Sequence, residues 1–166
     1  MKTKTQKIVL CALLASLTCV ATMIIKIPSP LKGYLNLGDS VVLLTGWIIS
    51  PLYSFLSAGI GSALADVFSG YILYAPVTFI IKGAMAVAAY FIFKLLKKNF
   101  SLGFSRVVSG ILAEIIMVCG YFVFEGAMYG FKASAVNIPA NAVQGIVGII
   151  LGIVLVKIFE KSNIYQ

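Results

Sequence analysis

Apolar residues form six long stretches along the chain, and polar residues, glycine or proline separate one stretch from the next. A helix needs about 20 apolar residues to cross the hydrocarbon core of a bilayer. The pattern therefore predicts an all-α membrane protein with six transmembrane helices. The predicted spans cover residues 8–25, 39–50, 52–69, 76–96, 106–127 and 139–159.

The break at Ser50 and Pro51 splits an otherwise apolar stretch into the second and third spans, and the second span is short for a full crossing. A tilted helix hairpin would satisfy both observations. All connections are short, so the sequence predicts a single transmembrane domain over residues 1–166. The longest connection, residues 26–38, joins the first two spans and contains Pro28.

Composition supports a membrane protein and excludes several kinds of chemistry. The chain of 166 residues is 61% hydrophobic and 11% charged, with a mean hydropathy of +1.06. Soluble domains are roughly a quarter charged. There is no histidine, and the three cysteines are scattered through apolar stretches. We therefore expect no metal site, no disulfide framework and no cofactor.

Lysine and arginine residues favour one side of the predicted bundle. Positively charged residues in short loops tend to remain cytoplasmic. If the N-terminus is cytoplasmic, only three basic residues face outward, whereas nine face inward. The outward residues are Lys26, Lys32 and Lys132, and the inward residues are Lys2, Lys4, Lys7, Lys94, Lys97, Lys98, Arg106, Lys157 and Lys161.

This bias predicts that both termini and the loop over residues 97–105 are cytoplasmic. The topology also explains the net charge of +8. A nucleic-acid partner is therefore not required, and the lipid bilayer is the expected surroundings.

A few ionisable residues fall inside the predicted spans or at their ends. Asp66, Lys82 and Glu114 lie within spans, and Asp39 lies at a span entrance. Such groups are costly in a membrane, so they line a cavity or pair with one another. A purely structural Asp66–Lys82 salt bridge is one alternative, and hydrogen bonding of Glu114 inside the bundle is another. For Asp39 and Glu125 we expect simple solvation by default.

Aromatic and amide side chains concentrate near the predicted outer ends of the spans. An interfacial belt is one explanation for each aromatic residue taken alone. As a group they predict a pocket that could stack against a flat polar molecule and form hydrogen bonds with it. The residues are Tyr34, Asn36, Tyr71, Tyr74, Tyr121, Phe124, Tyr129, Asn137, Asn141 and Gln144.

One set of segments is more specific than these general features. It comprises LNLGDS at 35–40, GIGSALAD at 59–66, GY at 70–71, AP at 75–76 and IIKG at 80–83. These segments resemble the substrate-binding S components of energy-coupling factor (ECF) transporters, which import vitamins into bacteria and some archaea. The resemblance covers nearly the whole chain.

The resemblance implies a multi-pass protein of a prokaryotic plasma membrane that binds a vitamin or its precursor and has no enzymatic activity. An outward-facing pocket would be covered by residues 26–38, a lid in which Pro28, Pro30 and Gly33 suit an ordered but movable loop. The implied substrate-binding residues are Asn36, Asp39, Asp66, Tyr71, Tyr74, Lys82, Glu114, Tyr121 and Asn141.

The resemblance also implies partners: an ECF transmembrane scaffold subunit and two ATPase subunits. The chain has no Gly-x-x-x-x-Gly-Lys-Ser/Thr loop of its own for ATP phosphates. Docking in this family uses two alanines four residues apart in the first span. Ala12 and Ser16 are the best match here; serine departs from the pattern but keeps the small size that close helix approach requires.

The amino-acid sequence of these segments most resembles S components assigned to pyridoxine-type vitamin B6 or to hydroxymethylpyrimidine. Both are small heteroaromatic rings suited to stacking and hydrogen bonding. For pyridoxine, an acid could face the ring nitrogen and Lys82 the phenolic oxygen. Riboflavin and cobalamin are less favoured. Biotin, pantothenate and folate are disfavoured because Lys82 beside several acids is a poor anion site.

Two other classes of protein remain as alternatives. A proton-coupled solute carrier would use Asp66, Lys82 and Glu114 as a relay, and its uptake would survive loss of any ATPase. A small membrane enzyme would use Asp39, Asp66 and Glu114 as acids and bases. The wide spacing of these acids and the absence of histidine disfavour the enzyme.

Overall fold

The computed structural model describes residues 3–29 and 34–162, and their secondary structure is almost entirely helical. Pro30, Lys32, Gly33 and Lys2 lie outside the described residues. The helices are α1 (Lys4–Ile24), α2 (Gly38–Ile48), α3 (Pro51–Phe68), α4 (Ala75–Leu96), α5 (Leu102–Tyr129), α6 (Phe131–Ser134) and α7 (Ile138–Lys161), with a 3-10 turn at Ala135–Asn137 before α7. Each predicted apolar stretch therefore corresponds to one helix, and the second of these, α2, is short.

The break between α2 and α3 follows from Pro51. Proline disfavours the helical conformation in the residue before it but suits the first turn of the next helix, and α3 begins at Pro51. The Ser54 hydroxyl donates to the carbonyl oxygens of Thr45 and Ile49 at 3.0 and 3.1 Å. Carbonyl groups exposed at the end of α2 thus find a partner without water.

Helix α2 explains why the second apolar stretch is short. Its 11 residues span about 16 Å at 1.5 Å per residue, less than the hydrocarbon thickness. Four consecutive side chains, residues 41–44, are buried, because α1, α3, α4 and α7 all pack around it. The stretch is apolar on every side because protein surrounds it.

Two connections differ from the prediction. Residues 27–28 (β1) and 34–35 (β2) pair as an antiparallel hairpin; strands of two residues are too short to produce an alternating hydrophobic pattern. Helix α5 begins at Leu102, capped by the Ser101 hydroxyl. The predicted loop over 97–105 is therefore shortened to a turn.

The bundle has two distinct ends. We call the end that carries β1 and β2 the hairpin end, and the other the lysine-rich end. Of the described basic residues, Lys26 and Lys132 lie at the hairpin end and Lys82 lies in the interior. The remainder lie at the lysine-rich end: Lys4, Lys7, Lys94, Lys97, Lys98, Arg106, Lys157 and Lys161.

Within residues 3–29 and 34–162, four helical segments are long and apolar enough to cross a membrane: α1, α4, α5 and the continuous segment from α6 through α7. Helix α2 is a shorter apolar helix. The six crossings and the cytoplasmic termini therefore stay predictions.

Glycine allows α1 and α3 to cross closely. A Cβ atom built on Gly61 would lie 2.3 Å from the carbonyl oxygen of Ala15 and 2.7 Å from Cβ of Thr18. Neither neighbour is the end of a flexible side chain. The two helix backbones must therefore separate if residue 61 carries a side chain.

We predict that Gly61→Ala lowers the stability of the purified protein by about 1–3 kcal/mol, the usual cost of overpacking. Thermal unfolding in detergent measures the loss. The matched control is Gly103→Ala, since a Cβ there meets no atom within 4 Å; alanine favours the helix, so stability should not fall. Equal midpoints for Gly61→Ala and the parent would contradict the close crossing.

Candidate functional site

A cavity opens at the hairpin end of the bundle. Its empty volume is about 430 Å³, including the open mouth. Polar and aromatic side chains predominate in its wall. The lining residues are Ser29, Tyr34, Asn36, Asp66, Tyr71, Tyr74, Thr78, Tyr121, Glu125, Asn137, Asn141 and Gln144.

Strand β2 is fastened to α3 over this cavity. The Tyr34 hydroxyl donates to Oδ1 of Asp66 at 2.7 Å, and its ring lies 4.9 Å from that of Tyr71, centroid to centroid. Burial, followed by the negative charge of Asp66, raises the pKa of Tyr34 above its ordinary value. The phenol therefore stays protonated and keeps donating. Lys26 adds a second link to α3's end by donating to the Ser69 hydroxyl at 2.9 Å.

Glu125 forms the opposite wall, and sequence reasoning did not select it as a binding residue. Its side chain is buried rather than solvated, so the default expectation for it was wrong. Asn137 donates to both carboxylate oxygens at 3.0 and 2.9 Å, and the Tyr74 hydroxyl reaches Oε1 at 3.5 Å. One signal was available: Glu125 follows Tyr121 by four residues, which places both on the same face of a helix.

Thr78 and Tyr121 close the floor of the cavity. Their hydroxyl oxygens are 3.0 Å apart, and both side chains line the cavity. Thr78 was also missed by sequence reasoning, although it stands one helical turn before the selected Lys82. Helix α7 contributes amides alone to the wall, at Asn141 and Gln144.

A buried ion pair lies next to the cavity. Lys82 on α4 pairs with Asp39 at the start of α2, and both side chains are inaccessible to solvent. The alternative Asp66–Lys82 bridge is thus wrong, because Asp66 pairs with Tyr34 instead. The default expectation of solvation for Asp39 is also wrong. Its position in the first turn of α2 places the carboxylate favourably for the helix dipole.

Gln144 connects this ion pair with the cavity. Its side-chain nitrogen donates to Oδ2 of Asp39 at 2.6 Å. Its oxygen accepts from the backbone N–H of Asn36 at 2.9 Å, and the Asn36 side chain accepts from the backbone of Gly38 at 2.8 Å. The chain between β2 and α2 is therefore anchored on the same amide that supports the ion pair.

Glu114 is buried beside the Asp39–Lys82 ion pair, and the three side chains form one buried cluster. Neither carboxyl oxygen has a hydrogen-bond partner among the described residues. The side chain packs against Gly145 and Gly148, where added Cβ atoms would lie 3.0–3.1 Å from it. The predicted hydrogen bonding of Glu114 inside the bundle is therefore not what the structure shows.

The predicted binding residues thus fall into two groups. Six line the cavity: Asn36, Asp66, Tyr71, Tyr74, Tyr121 and Asn141. The other three, Asp39, Lys82 and Glu114, are buried together beside it and do not line it. Over the described residues, no three His, Cys, Asp or Glu side chains gather in a way that could hold a metal ion.

A separate apolar groove runs along the outside of the bundle between α1 and α3. Its empty volume, including the space open to the surroundings, is about 1100 Å³. Ala12 and Ser16 both line it and are exposed. The Ser16 hydroxyl donates to the carbonyl oxygen of Ala12 at 3.0 Å, so the polar hydrogen is satisfied within α1 and the surface of the groove stays apolar.

Comparison with known proteins assigns the fold and site to a family. A family model described as the ECF-type riboflavin transporter S component matches residues 2–161. The chain belongs to this S-component family. An S component is a multi-pass membrane protein of a transport system and not an enzyme, so the all-helical membrane fold and the role in vitamin uptake are confirmed.

Individual relatives agree with the family assignment. An uncharacterised protein of Pyrococcus woesei is 35% identical over 144 residues, covering 86% of this S component and 93% of the relative. A protein of Lactococcus lactis subsp. cremoris named thiamine precursor transporter HmpT is 28% identical over 167 residues, covering 96% and 90%. A solved structure of the S component of a bacterial ECF transporter superposes with a TM-score of 0.74 at 22% identity, covering 96% and 98%.

We predict that Lys82→Met destabilises this S component by about 3–5 kcal/mol, because it leaves Asp39 charged and unpaired in the interior. Removing both charges in Lys82→Met/Asp39→Asn should recover part of the loss. Thermal unfolding of the two single variants and the double variant forms the cycle that measures the coupling. Additive losses would contradict a direct pair.

Proposed function

We propose that this S component captures a small, flat heteroaromatic vitamin precursor of the hydroxymethylpyrimidine type in the cavity at the hairpin end. The single observation that carries the proposal is the composition of the wall. Tyrosine rings, two carboxylates and several amides surround one cavity, with no lysine or arginine among the described lining residues. Delivery then follows from docking on an ECF scaffold that is driven by two ATPases.

The chemistry of the wall suits an aminopyrimidine. Its ring can stack on tyrosine, and its amino group needs acceptors, which the carboxylates of Asp66 and Glu125 provide. Amide side chains such as Asn141 can both donate to a ring nitrogen and accept from a hydroxyl group. Vitamins that carry a carboxylate are disfavoured because they would meet like charges. The relative named as a thiamine precursor transporter supports the same ligand class.

Pyridoxine is less well supported than hydroxymethylpyrimidine. Recognition of pyridoxine, as inferred from the sequence, requires Lys82 to face the phenolic oxygen of the ligand. Lys82 is paired with Asp39 and is not among the lining residues. Riboflavin appears in the description of the matching family, but the relative named as a thiamine precursor transporter favours a smaller, single-ring ligand.

The proposed orientation places the hairpin end outside the cell and both termini in the cytoplasm, with α1, α2, α3, α4, α5 and α7 forming the membrane domain. The clustering of basic residues at the lysine-rich end supports it. The named relatives come from an archaeon and a bacterium, which supports the plasma membrane of a prokaryote. In this orientation β1 and β2 form the lid, and ligand enters from outside.

The groove between α1 and α3 is the proposed scaffold contact. Ala12 and Ser16 are small, exposed and one helical turn apart, so another helix can approach α1 closely there. Self-sufficient proton coupling is less well supported, because Asp66 accepts from Tyr34 and Lys82 is paired with Asp39.

We predict that the purified protein binds one hydroxymethylpyrimidine per chain. Mass spectrometry of small molecules released from gently purified protein, followed by isothermal titration calorimetry with a vitamin panel, measures this. Tyr71→Ala should weaken binding at least about tenfold, as expected when a stacked ring is lost. The matched control is Tyr90→Ala, at the far end of α4. Saturable binding of riboflavin or pyridoxine alone would contradict the ligand assignment.

We predict that Ser16→Trp abolishes uptake in cells but leaves ligand affinity unchanged, since a bulky ring in the groove prevents close helix approach. Uptake of labelled hydroxymethylpyrimidine and calorimetry on the purified variant measure the two effects. Leu13→Trp is the control, because Leu13 is also exposed on α1 but does not line the groove. Normal uptake by Ser16→Trp, or uptake that persists without any ATPase, would contradict scaffold docking.

A further inference from the structure

The cavity at the hairpin end contains an imbalance of charge. Asp66 and Glu125 both line it, and both side chains are buried. Two carboxylates facing one cavity repel each other unless a cation or a proton compensates them. The described lining residues contribute no cation.

The nearest interior cation is already neutralised. The Lys82 ammonium lies 5.6 Å from the centroid of the Tyr121 ring on the cavity floor, but it is paired with Asp39. Glu114, beside that pair, adds a further acid rather than a cation. Lys26 lies outside the wall and donates to Ser69.

Both wall carboxylates are arranged as hydrogen-bond acceptors. Asp66 accepts from the Tyr34 hydroxyl through Oδ1, and its buried Oδ2 accepts no hydrogen bond from the described residues. Glu125 accepts from Asn137 through both oxygens. The open oxygen of Asp66 leaves one acceptor for a donor on the ligand.

Tyrosine rings complete the site. The ring centroids of Tyr34 and Tyr71 lie 4.9 Å apart. The rings of Tyr71 and Tyr74 meet edge to face, with their centroids 6.3 Å apart. The negative face of an aromatic ring attracts cations, and this attraction grows when water is excluded. Carboxylates and tyrosines thus favour the same kind of ligand, an organic cation.

We propose that this S component selects the cationic form of its ligand, a heteroaromatic ring protonated on nitrogen, with Asp66 and Glu125 as counter-ions. The inference rests on the proposed function, because it concerns the ligand of the same cavity. For an aminopyrimidine the proton resides on a ring nitrogen, and the adjacent amino group donates to the open oxygen of Asp66. A neutral ligand of the same shape would leave the two carboxylates uncompensated.

The proton balance of binding distinguishes this proposal from neutral binding. Above the pKa of its ring, free hydroxymethylpyrimidine is neutral, so the bound ring must gain one proton. Solvent supplies this proton if both wall carboxylates are charged, and then binding takes up about one proton per ligand. Calorimetric titrations of the full chain in two buffers of different ionisation enthalpy measure that uptake. A nitrogen-15-labelled pyrimidine shows by NMR whether the proton is on the ring nitrogen or on the protein.

The expected affinity has a defined pH dependence. As the pH falls from about 8 towards the ring pKa, the cationic fraction grows and binding tightens; at still lower pH the carboxylates take up protons and binding weakens. The titratable groups facing the ligand are Tyr34 from β2, Asp66 from α3, Tyr71 and Tyr74 from the α3–α4 connection, and Tyr121 and Glu125 from α5, with Asp39, Lys82 and Glu114 below the floor.

Matched carboxyl-to-amide variants locate the effect. Glu125→Gln and Asp66→Asn should each weaken binding at about pH 7 at least about tenfold and reduce proton uptake. Glu160→Gln is the control: it removes the same charge at the lysine-rich end, where Glu160 pairs with Arg106, and affinity should change by less than about twofold. Thermal unfolding verifies that each variant is folded, and the buffer and NMR measurements on the parent need no variant.

The outcomes separate the two proposals. Tight binding with about one proton taken up and a protonated ring nitrogen supports cation selection. Tight binding with a protonated ring nitrogen but no net uptake also supports it, because the proton then comes from a wall carboxyl group. Tight binding with a neutral ring nitrogen overturns cation selection but leaves the proposed function standing. Absence of hydroxymethylpyrimidine binding, or binding of a neutral vitamin such as riboflavin in its place, overturns both.

Discussion

The ion pair between Asp39 and Lys82 is the interaction on which the rest of the structure depends. A charge in the interior of a membrane protein has no water to solvate it, so it must find its partner within the fold. The pair joins α2 to α4 at the centre of the bundle, and Gln144 brings α7 to the same point. Three helices are thereby held in one register directly beside the ligand cavity.

The same constraint shapes the cavity above the pair. Each wall carboxylate is held by donors from another element: Asp66 by β2 and Glu125 by the segment before α7. Polar contacts thus tie the lid and the α5–α7 connection to the wall. Gln144 contacts both the chain after β2 and Asp39. A shift of the lid would therefore change the hydrogen bonding of the ion pair. The proposed ligand cavity and the interior packing share these hydrogen bonds.

Local sequence patterns predicted much of the fold because the bilayer restricts the possible structures. In lipid, backbone groups must be satisfied within each segment, so long apolar runs become helices. Pro51 and Pro76 mark helix starts in the sequence and in the structure. The hairpin at residues 27–35 had no such signal, because its strands are too short for a periodic pattern. The motif segments around Asp39, Asp66 and Lys82 indicated the family.

The sequence by itself determined the class of protein, the helix order, the bias of positive charge and the concentration of polar residues at one end. These depend on composition and on spacing along the chain. Only the tertiary structure decided which acid partners Lys82, because Asp39 and Asp66 lie 43 and 16 positions away and either could have reached it. It also brought Glu125 into the wall and moved Lys82 out of it, since pairing in a membrane interior is settled by distance between helices and not by sequence.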